Sequence, residues 1–95
     1  MGIDFKEHLD DMVTGLKSAA SEGVQGADVL YETAEKHVRT VKALSNPQDR
    51  RQAFKSLAQG VESGLARIND ETARSILDAI IKPALTIGKM LLGIA

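Results

Sequence analysis

The chain has no cysteine and no tryptophan, and its 95 residues include only two prolines and three aromatics, Phe5, Tyr31 and Phe54. Without cysteine there are no disulfides and no thiolate metal sites, and the redox compartment cannot be read. Few large side chains in so short a chain mean little burial per residue, which makes oligomerisation a natural route to stability. The start, Met1-Gly2-Ile3-Asp4-Phe5-Lys6-Glu7, lacks the basic and apolar stretches of a secretory signal, so no cleaved leader is expected. Gly2 would suit N-myristoylation, but that motif asks for Ser or Thr where Lys6 stands. The expected location is the cytoplasm or an assembled particle, with a membrane surface as the alternative.

Signatures of catalysis are also missing. There is no Ser-His-acid order, HExxH or Gly-rich phosphate loop, and Gly23-Val24-Gln25-Gly26 is too isolated to cradle a nucleotide. His8 has Asp4 and Asp11 at helical spacing but no second histidine three or four residues away, so no metal site is expected. His37, among Glu35, Lys36 and Arg39, reads as a surface residue. The expectation is a non-enzyme with no cofactor and no metal.

What the chain does have is helical periodicity. Asp4 with Glu7 approximates a capping box. The apolar positions then run Phe5, Leu9, Met12, Leu16, Ala20, Ala27, Tyr31, Ala34, Val38 and Val41, in steps characteristic of an amphipathic helix. Phe5, Leu16, Ala27 and Val38 keep phase across Gly23 and Gly26, which favours one long, kinked helix over two short ones. Ser45-Asn46-Pro47 punctuates the chain: Asn46 suits an N-cap, Pro47 the first helical position and Asp49 the third. The second stripe reads Phe54, Leu57, Val61, Leu65, Ile68, Thr72, Ile76 and Ala79 or Ile80, with Ile87 continuing the phase. Asn69-Asp70 offers an interruption and a new cap. The predicted fold is all-α, a single domain forming a long antiparallel hairpin: arm 4–44, turn 45–47, arm 47–82 and an apolar amphipathic C-terminal helix 83–95. Kinks would divide it into three or four helices. Each arm would span about 60 Å, leaving apolar surface for other chains.

Charge is segregated. Residues 1–35 carry eight acids against Lys6 and Lys17, a net of −6, whereas residues 36–55 carry six cations against Asp49, a net of +5. In a hairpin the six cations, Lys36, Arg39, Lys42, Arg50, Arg51 and Lys55, would gather at the turn with the acids towards the other end. Head-to-tail complementarity between subunits is one reading of that polarity, and phosphate binding is another. No base-reading pattern accompanies the cations, so nucleic acid is disfavoured as a partner.

Residues 76–95 are mostly apolar, with charge only at Asp78, Lys82 and Lys89. Three charges at roughly 2.5–3.5 kcal/mol each argue against a membrane span. An interfacial helix using Lys82, Leu85, Lys89, Leu91 and Leu92 is the alternative to burial in an oligomer.

The mid-chain Ser45-Asn46-Pro47-Gln48, with Leu57, Asn69, Asp78-Ala79 and Ile81 at fitting positions, resembles the needle subunits of type III secretion systems over roughly residues 44–82. Those are short, cysteine-free helical hairpins with an Asn-Pro turn. Here Asp49, Arg50, Arg51 and Phe54 replace the leucine pair and tyrosines that often follow that turn, and the chain continues past Lys82 through Pro83 into an apolar tail. The resemblance implies helical polymerisation around a lumen and export without a cleaved signal.

The expected function is a non-catalytic structural subunit of a virion, secretion system or filament. It would self-associate, or bind another helical protein, through Phe5, Leu9, Leu16, Tyr31, Val38, Phe54, Leu65, Ile76 and Ile87. The alternatives are a peripheral membrane protein and a soluble adaptor that docks on a partner helix.

Overall fold

The computed structural model describes residues 5–94, which form four helices and no strand: α1 (Phe5–Ser21), α2 (Ala27–Ala43), α3 (Pro47–Ala66) and α4 (Glu71–Leu92). Each packs on its sequence neighbour, and α1 closes against α4. The result is an up-down-up-down bundle 37 × 26 × 22 Å across. Its core draws on all four helices, with Leu9, Leu16, Leu30, Phe54, Leu57 and Leu77 among the fully buried side chains.

Each predicted arm is therefore two helices. The first divides at the two glycines. Gly23 has φ +82°, and the Gly23 and Val24 N–H groups donate to Ala20 and Ala19 carbonyls, closing α1 with a Schellman turn. Gly26, at φ +83°, then starts α2. Two positive φ values within four residues turn the chain back, and only glycine takes them at no steric cost. The second arm divides at residues 67–70. There Asp70 caps α4 by accepting from the Ala73 N–H at 3.0 Å.

The middle turn follows expectation: the Asn46 side chain accepts from the Gln48 and Asp49 N–H groups at 2.9 and 3.3 Å, and Pro47 opens α3. The Asp4 half of the expected first cap lies outside the described residues. Pro83 does not begin a new helix, because α4 runs through it. Proline removes the bond to the carbonyl four residues back, and here that carbonyl belongs to exposed Ala79.

Glycine sets how closely the helices approach. A Cβ on Gly64 would lie 2.7 Å from a Leu30 methyl, and one on Gly60 3.3 Å from Thr33. These two, one turn apart, make α2·α3 the most intimate seam; α3·α4 is the loosest. Gly88 admits the Phe54 ring, whose Cζ would be 2.5 Å from a Cβ there. Phe5 packs beside Phe54, centroids 5.9 Å apart.

Candidate functional site

The fold separates the predicted anchors into two groups. Leu9, Leu16, Val38 and Phe54 are buried inside the chain's own core and present nothing to a partner. Phe5, Tyr31, Leu65 and Ile87 are half-buried, and Ile76 is exposed. The second stripe changes face at residues 67–70, because a new cap resets the helical phase. The core side of α4 is Ala73, Leu77, Ile81, Ala84, Leu85 and Gly88, not the Thr72–Ile76–Ile80 row that continues the phase of α3.

Ile76 and Ile87 thus belong to a second, outward row of α4: Ile76, Ile80, Pro83, Ile87 and Met90. The steps alternate between four and three residues, so the five lie along one face about 21 Å long. Among the described residues four large hydrophobic side chains are exposed, and three of them are on α4: Ile76 at 43%, Met90 at 74% and Leu91 at 42%. The fourth, Val29, lies on α2 at 60%. Helix α4 is apolar on its inner side, as the fold requires, and also on much of its outer side, which the fold does not require. The expected lipid-facing set is divided accordingly. Leu85 faces the core and Leu92 packs partly against it, whereas Lys82 and Leu91 are exposed and Lys89 is half-buried. No helix among the described residues is long and apolar enough to cross a membrane.

The basic end is not a free patch. Reversal at the glycines brings the acidic first half of α1 back beside the α2–α3 turn, instead of leaving it at the far end of a hairpin. Lys42 donates to Asp10 at 2.9 and 3.1 Å across α1 and α2. Arg39 pairs with Glu35. Arg50 donates twice to the Leu44 carbonyl, at 3.1 and 2.7 Å, closing the end of α2, while its guanidinium lies 5.9 Å from the Phe5 ring centre. Lys36, Arg51 and Lys55 are exposed. The sequence polarity is thus partly cancelled within one chain.

An open groove of about 590 Å³ lies between α1 and α2, with Val13 and Val38 in its wall and Asp10, Tyr31, Glu35, Arg39 and Lys42 around it. Hydrogen bonding to Glu35 raises the Tyr31 pKa above its ordinary value, with desolvation and the Glu35 charge adding to the effect. That is the opposite of what a phenolate base or nucleophile needs. Among the described residues no three His, Cys, Asp or Glu side chains gather closely enough to hold a metal ion. His37, expected on the surface, is half-buried on the α2·α3 seam; its Nδ1 lies 2.9 Å from the Thr33 carbonyl and its ring lies near Gly60.

The outer row of α4 was missed as a separate feature, although its four-and-three spacing is visible in the sequence. Its residues interleave with the core row, and only the packing of α1 and α3 separates the two. Comparison with known proteins supplies no further guide: no family model, no curated protein and no solved structure matches this chain.

Proposed function

We propose that the protein is a non-catalytic structural subunit that associates with further copies of itself through the outer face of α4. The observation that carries this reading is the outer side of α4, where Ile76, Pro83 and Met90 are exposed while Ile80 between them packs on α1. Burying such a row gains about 25 cal/mol per Å² of apolar surface. A monomer leaves that gain unused. The resemblance to needle subunits points to the same general class, but its two-armed layout is not the one this chain adopts. What supports the reading is the face of α4, not the Asn46-Pro47 turn.

Sedimentation velocity across a wide concentration range tests it. The wild-type chain should form discrete oligomers, and Met90→Lys should shift the population towards monomer while leaving unfolding within about 0.5 kcal/mol, since a substitution at an exposed site costs the fold little. A wild-type chain that stays monomeric, or a Met90→Lys variant that assembles equally well, would exclude this face. A second reading has its own observation: the helix that carries the apolar row also carries an exposed lysine, Lys82, as do helices that rest on anionic lipid. Monomers that co-sediment with anionic vesicles and lose that binding on Met90→Lys would favour it.

A further inference from the structure

The groove between α1 and α2 shares no lining residue with the outer row of α4. Its volume of about 590 Å³ falls within the range of clefts that hold small molecules. Five charged side chains line it, and four of them are committed. Lys42 bridges from α2 to Asp10 of α1 at 2.9 and 3.1 Å. Arg39 pairs with Glu35, which also engages the Tyr31 hydroxyl. The fifth is Lys17. It is exposed, and it makes no hydrogen bond or ion pair among the described residues. Three cations therefore stand against two carboxylates, and the groove carries one positive charge in excess.

The order of these groups gives the groove a direction. Asp10, Val13 and Lys17 follow at steps of three and four, so they share one face of α1. Lys17 stands about 10 Å along that face from Asp10, with Val13 between them. On antiparallel α2, Val38 lies one turn from Lys42 and so comes opposite Val13. An apolar strip long enough for one ring and a short chain is thus closed at one end by the Asp10–Lys42 bridge. At its other end stands an ammonium with no carboxylate of its own.

That lining suits a molecule with an apolar body and a single negative charge. The body covers Val13 and Val38, and the anion neutralises Lys17. A bare anion gains only an exposed ion pair, which is worth little, and a neutral body leaves Lys17 unneutralised. A phosphate monoester brings nearly two charges, more than the excess, whereas a carboxylate brings one.

We propose that the α1·α2 groove binds a small organic monocarboxylate, its apolar body against Val13 and Val38 and its carboxylate on Lys17. Binding there is independent of self-association through α4.

Hydrocinnamate, a phenyl ring on a short chain ending in a carboxylate, is the probe. Its neutral amide supplies the body without the charge, and acetate the charge without the body. In an amide chemical-shift titration of the full chain, hydrocinnamate should saturate with a Kd of about 1 mM and move Val13, Lys17 and Val38 most. The amide should bind about fivefold more weakly, and acetate should not saturate. Lys17→Gln, at an exposed site, should leave the fold intact and reduce the affinity for hydrocinnamate to that of the amide. Lys55→Gln, at an exposed site on α3, should change nothing. Equal affinity for acid and amide, or for wild type and Lys17→Gln, would overturn the proposal. So would shifts centred on Ile76 and Met90, or no saturation with hydrocinnamate. None of these results bears on sedimentation, which tests the face of α4 separately.

Discussion

Helices α2 and α4 are built for the same task on their inner sides and for different ones on their outer sides. Inside, Leu30, Ala34, Val38 and Val41 of α2 and Leu77, Ile81, Ala84 and Leu85 of α4 are all buried. Outside, α2 shows Asp28, Glu32, Lys36 and Arg39, with Arg39 paired to Glu35 one turn back. Helix α4 shows Ile76, Pro83, Met90 and Leu91. A helix with one partner surface needs one apolar stripe, and α2 has one. Helix α4 has a second row, of which Ile80 packs on α1 while Ile76, Pro83 and Met90 stay exposed. The difference separates the faces that the bundle covers from the apolar residues that it leaves exposed.

The largest effects should show the two inner faces to be equal. Leu30→Ala on α2 and Leu77→Ala on α4 each remove a fully buried side chain and should each cost about 2–5 kcal/mol in urea unfolding. If Leu77→Ala proved nearly neutral, α4 would be a loosely attached helix and the comparison would fail.

Next in size is the contact by which α4 receives the aromatic pair. Gly88→Ala should cost about 1–3 kcal/mol, because the new methyl meets the rigid Phe54 ring. Gly64→Ala on the α2·α3 seam should cost less by the same assay. There the obstacle is the tip of Leu30, which can turn aside, and alanine regains helix propensity.

Smaller still, Asn46→Ala should lower stability by about 1 kcal/mol, since the side chain satisfies two N–H groups at the start of α3. An unchanged denaturation midpoint would show that the Arg50–Leu44 bonds alone hold the turn.

The smallest effect belongs to the polar outer side of α2. Tyr31 has its pKa raised in the folded chain, so it binds its proton more tightly there than when unfolded. Its contribution favours the fold below the ordinary tyrosine pKa of about 10 and is lost as pH climbs through the higher folded value. Glu35→Gln should move the Tyr31 ultraviolet titration down towards that ordinary value; a curve that does not move would remove Glu35 as the cause.

Much of the fold was legible in the residues. Stripes from Leu9 to Val41 and from Phe54 to Val61 identify buried faces, and Asn46-Pro47 marks the middle reversal by side-chain chemistry. The other two, at Gly23–Gly26 and Asn69-Asp70, could be read as breaks but not as reversals, for a physical reason. A hydrophobic stripe says which side of a helix is covered, not whether the next turn continues along the same axis. The Phe5, Leu16, Ala27, Val38 spacing survives the Gly23–Gly26 turn because both helices must face the same core. Backbone φ at those glycines, which reverses the chain, leaves no mark on periodicity. At residues 67–70 the error had the opposite sense. The phase appeared to continue from Phe54 through Ile76, but Asp70 recaps the chain and Ala73, Leu77 and Ile81 turn inward instead. Of the candidate site, Ile76 and Ile87 were named and Met90 was not. Their common face emerged only when the core claimed its neighbours.

The order of packing has a kinetic consequence. Three of the four helix seams join neighbours in sequence across short turns; only α1 against α4 closes over the length of the chain. Such a topology folds quickly, since most contacts are local. Its late event is the arrival of α4 on α1, where Ile80 meets Gly15 and Gly88 meets the Phe5–Phe54 pair. Until then α3 alone covers the inner side of α4, and the newly made chain exposes more apolar surface than the closed bundle does.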